Sequence, residues 1–411
     1  MLNIYNSLTR KIEPFQPDED MQVKMYTCGP STYQPPHIGN YRTFLFEDVF
    51  QRYLEHLGYK VKRLITLTDL EDKAIAQAKK ENLTVEEVTR KNEAIFFQGF
   101  KLLRIKTPDF PVRASSVVDQ AASLIARLAE KKYVYWDEYN GAKNAYFEPL
   151  KFKGFGKLAH LDMSKWPTKK RRFHKDTYPG TPWNKGDFIV WDGCKHGGVC
   201  YETPIGGGRP AWNIQDAAIV TKHLGFSIDV ACGGIDNLVR HHDYTLAIAE
   251  AVSGKQFSRY WLHGAHLLVD GKKMSKSIGN VIYTGDVLKE GFSGEQLRFF
   301  SIYGHYREKL NFTFKKLAET SRKLDAFKNM VKELQVTNEG SSNLEAEALI
   351  GGLVSSFENA MNNDLGVKTA FDSLYKTICE LHELKKPLNE KESKKLLDAL
   401  RWVDSVLQCI L

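Results

Sequence analysis

Gln22-Val-Lys-Met-Tyr-Thr27 is predicted to form a β-strand, and His37-Ile-Gly-Asn40 follows it after a turn that contains Cys28-Gly-Pro30. The next segment, 41–58, carries apolar side chains at helical spacing: Phe44, Phe46, Val49, Phe50, Tyr53, Leu54 and Leu57. A glycine-containing turn between strand and helix presents backbone N–H groups and the positive end of the helix dipole to an anion. The stretch therefore predicts a phosphate-binding edge of an α/β fold.

A second informative segment is Lys273-Met-Ser-Lys276-Ser277, which follows Leu267-Leu-Val-Asp-Gly271. Its lysines are point charges suited to a triphosphate. When a nucleophile attacks a phosphate of such a ligand, negative charge builds on phosphate oxygens. Positioning and electrostatic stabilisation carry such a step without a protein nucleophile. His37 offers an N–H donor and Asn40 an uncharged amide donor. These side chains and the two lysines are candidates for phosphate contacts.

The two segments resemble the HIGH and KMSKS signatures of class I aminoacyl-tRNA synthetases, which form an aminoacyl-adenylate from ATP. Asn40 departs from the first signature, which ends in His. Other segments narrow the resemblance to the cysteinyl-tRNA synthetase family, from Leu2 to about Leu374; they are Leu67–Lys73, Gly207–Ile214, Gly233–His242, Tyr260–Gly264 and Gly304–Arg307. The resemblance implies an ATP site with Mg²⁺ accompanying the phosphates, formed by Gly29, His37, Gly39, Asn40, Gly233, Asp236, Lys273 and Lys276. The same resemblance implies that His37, Asn40, Lys273 and Lys276 form the catalytic set.

The resemblance also implies an amino-acid pocket, formed by Cys28, Thr68, Trp212, Asp216, His241 and Thr245. Family members bind zinc there through Cys, Cys, His and Glu, and the metal takes the thiolate of the substrate. Here Asp216 and Thr245 replace a Cys and the Glu, and a threonine hydroxyl is a poor zinc ligand. The candidate ligands are thus Cys28, Asp216 and His241, and we expect this pocket to carry zinc substoichiometrically or not at all.

Loss of zinc would remove the basis for cysteine selection, because a bare pocket discriminates poorly between side chains of similar size. Three functions stay open at this point. The first is a ligase that charges tRNA. The second is an adenylate-forming ligase that joins cysteine or another amino acid to a small amine, as in mycothiol-type ligases, or to a carrier. The third is an inactive paralogue that binds nucleotide or tRNA as a regulator, and the intact lysine segment argues against it.

The alternation of strands and helices predicts a parallel sheet. The resemblance implies that this sheet is the class I Rossmann-like (HUP) fold, with an inserted connective domain and a C-terminal α-helical bundle. The predicted regions are 1–120 (first half of the catalytic domain), 121–205 (connective insertion), 206–265 (second half), 266–311 (lysine-loop region) and 312–411 (helical bundle). Family members usually continue into an anticodon-reading domain beyond the point where this chain stops, at Leu411. Recognition of tRNA through its acceptor stem and the bundle, or a non-tRNA acceptor, is therefore expected.

Composition is that of a cytoplasmic globular protein. The 411 residues carry 58 basic and 50 acidic side chains, a net charge of +8 that permits a polyanion partner. No stretch approaches the roughly 20 apolar residues of a membrane span. We expect a monomer without a membrane partner. The six cysteines lack a disulfide-framework spacing and favour a reducing compartment. Cys194-Lys-His196-Gly-Gly-Val-Cys200 is interpreted as a solvated loop, with a metal knuckle as the alternative.

Overall fold

The computed structural model describes residues 1–167, 172–176, 186–194, 198–275, 278–335, 342–384 and 387–411. Two residues that the sequence singled out, His196 and Lys276, lie outside these ranges. None of the helices in the described ranges combines the length and the apolar character needed to cross a lipid bilayer.

The N-terminal region supplies three strands of the central sheet and the helices that cover it. Its strands are β1 (Asn3–Asn6), β2 (Lys11–Pro14), β3 (Gln22–Thr27), β4 (Lys60–Leu67) and β5 (Phe110–Arg113), and its helices are α1 (Ile38–His56), α2 (Asp72–Glu81), α3 (Val85–Leu102) and α4 (Val118–Glu130). Strands β3, β4 and β5 pair in parallel. The run Leu64–Leu67 is buried throughout, as expected for a strand covered on both faces. The prediction of a strand at 22–27 is confirmed.

A separate, mostly antiparallel sheet forms the insertion. Its strands are β6 (Val134–Tyr139), β7 (Ala142–Phe147), β8 (Arg172–Phe173), β9 (Asp187–Gly193) and β10 (Gly208–Pro210), in the order β10-β9-β7-β6, with β8 parallel to β9. Asn140 and Gly141 connect β6 to β7 with φ angles of 52° and 71°. Two consecutive positive φ angles are typical of a tight hairpin turn, which explains why Asn-Gly occurs there.

The chain then returns to the central sheet. The second half contains α5 (Trp212–His223), β11 (Ile228–Gly234), α6 (Asp243–Ser253) and β12 (Ser258–Gly264). The sheet is parallel throughout, with the strand order β12-β11-β3-β4-β5. A π-helical turn, Leu238–His242, precedes α6. Such wide turns occur frequently at functional sites.

The lysine loop, which starts at Lys273, leaves a small three-stranded sheet. This region comprises β13 (Leu267–Val269), β14 (Lys272–Lys273), α7 (Thr284–Lys289), α8 (Gly294–Tyr303) and β15 (Leu310–Phe312). Asp270 and Gly271 make the two-residue turn between β13 and β14, with φ angles of 49° and 76°. This Asp-Gly turn fixes the direction in which the loop leaves the sheet.

Four helices complete the described part of the chain: α9 (Phe314–Glu333), α10 (Leu344–Met361), α11 (Val367–His382) and α12 (Glu390–Leu407). Their apolar faces join one core with α1 and α8. Asp364, between α10 and α11, connects this bundle to the rest of the protein. It accepts hydrogen bonds from the Tyr5 backbone N–H at 2.8 Å, the Tyr306 hydroxyl at 2.7 Å and Arg307 Nε at 2.7 Å.

Two expectations from the sequence differ from the structure. The boundary at 120 falls inside α4, and β10, beyond the boundary at 205, pairs with β9 of the insertion sheet; the five regions themselves stay predictions. The cysteine spacing gave no sign of a disulfide, yet Cys194 and Cys200 form one with their Cα atoms 5.4 Å apart. The interpretation of 194–200 as a solvated loop stays a prediction, because 195–197 lie outside the described residues.

Candidate active site

The candidate site lies at the carboxyl ends of β3 and β11. These neighbouring strands connect to helices in opposite directions along the sheet, which opens a crevice between them. The Cys28 backbone N–H, just past β3, donates to the Cys232 carbonyl of β11 at 3.0 Å. In open parallel sheets, ligands bind in such a crevice.

A cavity of about 690 Å³ occupies this crevice. Nine of the residues predicted from sequence line it: Cys28, Gly29, His37, Gly39, Asn40, Trp212, Asp236, His241 and Lys273. Lining residues that the sequence analysis did not assign to the site include Tyr33, Lys73, Asn237 and His266. Lys73 lies within Leu67–Lys73, one of the segments that carried the resemblance, so the sequence did contain a signal for this residue. The cavity is large enough for a nucleotide together with an amino acid.

His37 and Asn40 cap the helix that faces the cavity. His37 Nδ1 accepts from the Asn40 backbone N–H at 3.3 Å, and Asn40 Oδ1 accepts from the His37 backbone N–H at 3.0 Å. Burial lowers the pKa of His37, which favours the neutral ring. Since Nδ1 is an acceptor, the proton of that neutral ring is on Nε2. The cap therefore leaves one N–H donor of His37 available to a phosphate oxygen.

The lysine loop closes one side of the cavity. Lys273 Nζ lies 3.4 Å from Asp236 Oδ2, across the crevice from β14 to the end of β11. Asn280 holds the loop, because its Oδ1 accepts from the Ser275 N–H at 2.8 Å and its amide donates to the Lys273 carbonyl at 3.2 Å. Gly39 permits the approach of Met274, whose Cε would lie 2.4 Å from a Cβ added there. The glycine thus serves packing of the loop against α1.

Position 29 requires a glycine because the backbone of β4 lies directly against it. A Cβ at this position would lie 1.6 Å from the Thr66 carbonyl oxygen of β4. We expect Gly29→Ala to reduce the free energy of unfolding by about 3 kcal/mol or more, because backbone must move. The matched control is Gly285→Ala in α7, where an added Cβ meets nothing within 4 Å. Urea unfolding followed by circular dichroism measures both variants; equal midpoints would show that the crevice tolerates a side chain at Gly29.

A buried hydrogen-bonded group forms the inner end of the pocket. The Tyr26 hydroxyl donates to Asp216 Oδ2, and His241, in the π-helical turn, places Nε2 2.7 Å from the same oxygen. The side chains of Asp216 and His241 are 2% and 1% exposed. Burial alone would raise the pKa of Asp216, but His241 and the hydrogen bonds outweigh it and hold that pKa below its usual value. Asp216 is therefore an acceptor-only carboxylate, and His241 donates to it.

Cys28 and Trp212 form the walls in front of this group. The Trp212 ring stacks on His241, with centroids 3.9 Å apart and planes at 8°. The Asn237 amide donates to Cys28 Sγ at 3.4 Å. Burial, with the Asp216 charge second, raises the pKa of the Cys28 thiol well above its ordinary value, so the thiol is neutral. The pocket wall is thus a neutral thiol and an aromatic face.

Four predicted residues lie away from the cavity wall. Thr68 holds the turn after β3, because its N–H donates to the Pro30 carbonyl at 3.1 Å and its carbonyl accepts from Thr32. The Thr245 hydroxyl is buried and donates to the His241 carbonyl at 2.9 Å. Gly233 packs against His242, whose Cε1 would lie 2.5 Å from an added Cβ. Asp216 lies behind His241 rather than on the wall.

Comparison with known proteins finds a matching family. The family described as "tRNA synthetases class I (C) catalytic domain" matches residues 14–322. The cysteine–tRNA ligase of Chlamydia pneumoniae is 37% identical over 99% of this chain and 86% of its own length. The cysteine–tRNA ligase of Protochlamydia amoebophila is 31% identical over 99% of this chain and 85% of its own length.

The chain belongs to the cysteinyl-tRNA synthetase family of class I. It is therefore an ATP-dependent amino-acid-activating ligase of the aminoacyl-tRNA synthetase type. A structure of Mycobacterium tuberculosis methionyl-tRNA synthetase bound by methionyl-adenylate shares the fold, with a TM-score of 0.68 and 14% identity over 94% of this chain and 92% of that one. This likeness confirms the predicted class I fold.

The cysteinyl-tRNA synthetase family implies zinc in the amino-acid pocket, and the residues present fit it poorly. Two ligands on a tetrahedral zinc lie roughly 3.3 Å apart, since each is about 2.0–2.1 Å from the metal. His241 Nε2 and Asp216 Oδ2 are 2.7 Å apart and hydrogen-bonded to each other. That oxygen also accepts from Tyr26, and Thr245 is turned to a backbone carbonyl. Zinc binding would therefore have to break the hydrogen bonds that Asp216 makes with Tyr26 and His241.

Proposed function

We propose that this chain activates cysteine with ATP and transfers it to tRNA, and that its pocket holds the side chain without zinc. The observation that carries the proposal is the convergence of His37, Asp236, Lys273 and Cys28 on one cavity. These residues come from three separate segments of the sequence, 22–40, 233–242 and 267–277. The names of the relatives support cysteine and tRNA as substrates.

The proposed chemistry divides between the two ends of the cavity. A carboxylate oxygen of the amino acid attacks the α-phosphate of ATP, the bond to pyrophosphate breaks, and an aminoacyl-adenylate forms. His37 Nε2–H and the Lys273 ammonium stabilise the charge that develops on phosphate oxygens, and Mg²⁺ accompanies the phosphates. A hydroxyl of tRNA then attacks the carbonyl carbon, and AMP leaves.

The other end of the cavity sets selectivity. Cys28, Trp212 and the ring of His241 accommodate a short side chain, while Asp216 fixes the orientation of His241. Without a metal–thiolate bond, size and hydrogen bonding are the remaining means of discrimination. We therefore expect cysteine to be preferred over serine by no more than about 10²-fold.

Transfer to tRNA is tested with labelled cysteine, ATP and a pool of tRNA, followed by acid gel electrophoresis. We expect label to appear in tRNA in an ATP-dependent manner and to be released by mild base, as an ester requires. Parallel reactions contain a small amine acceptor in place of tRNA. Label in the amine product and none in tRNA would contradict the proposed acceptor while leaving adenylate formation intact.

A further inference from the structure

The cysteine pair of the insertion has a carboxylate beside it. Cys194 directly follows β9, Cys200 and Glu202 lie on the returning loop, and their ligand atoms are all within 4.8 Å of one another. Cys194 is half-buried, whereas Cys200 and Glu202 are exposed. This cluster is separate from the amino-acid pocket and has no part in the proposed chemistry.

Gly207 lies beside all three groups. A Cβ added there would lie 2.7 Å from Cys194 Sγ, 3.2 Å from Glu202 Oε1 and 3.5 Å from Cys200 Sγ. The backbone also closes around this point. The Cys194 N–H donates to the Gly207 carbonyl at 3.3 Å, and Tyr201 exchanges two hydrogen bonds with Gly208 at 2.8 and 3.0 Å. Two sulfur atoms and one carboxylate oxygen thus surround a backbone position without a side chain.

We propose that Cys194, Cys200 and Glu202 form a zinc site in the insertion when the disulfide is reduced. Two thiolates and a carboxylate suit zinc, and water completes four-coordination. A dithiol reductant supplies two electrons and two protons, which convert the disulfide to two thiols while the dithiol becomes a disulfide. Zinc then displaces the two thiol protons and forms two zinc–sulfur bonds. A disulfide in the oxidised protein and a zinc ion in the reduced protein would each link Cys194 to Cys200.

The position of the site gives it a structural consequence. The loop from Cys194 to Gly207 joins β9 to β10, and β10 leads directly to Trp212 at the start of α5. A link between Cys194 and Cys200 therefore restrains β10, the strand that leads to Trp212 in the wall of the amino-acid pocket. The proposal does not rest on the identity of the substrate, so it stands or fails separately from the proposed function.

Zinc content of the purified chain tests the site. After reduction with a phosphine, equilibration with zinc and gel filtration, we expect about one zinc per chain. Cys194→Ser and Cys200→Ser should each lose it, and Glu202→Gln should weaken binding by roughly ten-fold or more. Cys379→Ser, on α11, and Cys28→Ser, in the pocket, are the matched controls and should retain the metal. No bound zinc, or zinc lost in Cys28→Ser and kept in Cys194→Ser, would overturn the assignment.

Alkylation of the unmodified chain provides a second readout that does not depend on the folding of variants. Bound zinc should protect Cys194 and Cys200 from iodoacetamide in the reduced protein, and mass spectrometry of peptides locates the label. The half-buried thiol of Cys379 should react equally with and without zinc. Equal labelling of Cys194 and Cys200 in both conditions would contradict the site.

Discussion

Lys273→Ala should lower the rate of adenylate formation by about 10²- to 10³-fold, with little change in the KM for the amino acid. The reason is that Lys273 lines the phosphate end of the cavity, and its charge is used most when pyrophosphate departs. Lys276→Ala, at the second lysine of the signature, is predicted from sequence to have an effect of the same kind. Exchange of labelled pyrophosphate into ATP measures both.

Lys272→Ala is the matched control for this effect. Lys272 precedes Lys273 on β14, so its side chain leaves the opposite face of the strand, and it does not line the cavity. Its replacement should change the exchange rate less than about two-fold, although it removes the same charge. If both variants slow exchange equally, general electrostatic attraction of ATP, and not a contact at the phosphates, explains the lysine segment.

Restoring the family's ligands should convert the pocket into a zinc site. In Asp216→Cys combined with Thr245→Glu, the thiolates of positions 28 and 216, His241 and a carboxylate offer four donors. We expect one additional tightly bound zinc per chain and a preference for cysteine over serine that rises above the roughly 10²-fold limit of a metal-free pocket. Both measurements use a chain that also carries Cys194→Ser and Cys200→Ser, so that the insertion contributes no metal.

Thr245→Glu alone is the control for the double replacement. It leaves Asp216 bonded to Tyr26 and His241, so it should add no zinc and no selectivity. Thermal unfolding of each variant shows whether the buried glutamate is accommodated. A folded double variant that binds no zinc would mean that the pocket backbone, and not the two replaced ligands, excludes the metal.

The first strand of the central sheet and the helix after it were predicted from local sequence patterns. The strand at 22–27 and the helix after it follow from alternation and helical spacing, which depend on neighbours in sequence. The helix begins at Ile38, three residues before its predicted start at 41, because His37 serves as its cap. Histidine is outside the usual set of capping residues, so composition gave no sign of it.

The site was predictable only where a signature carried it. His37, Asp236 and Lys273 all line the cavity, and each lies in a segment that carried the resemblance. Thr68 was misplaced because the path of the turn after β3 depends on hydrogen bonds that sequence does not show. The Asp216–His241 bond was also not predicted. A substituted ligand position reveals that a metal site has changed, but not which hydrogen-bonded group replaces it.

The metal-free pocket is tested by pyrophosphate–ATP exchange on a chain that carries Cys194→Ser and Cys200→Ser, so that the insertion holds no metal, after treatment with a zinc chelator that leaves magnesium free. All proteinogenic amino acids are compared as substrates. We expect cysteine to support exchange, chelation to leave the rate unchanged, and serine to follow within about 10²-fold. Cysteine-dependent exchange that disappears on chelation and returns with added zinc would contradict a metal-free pocket.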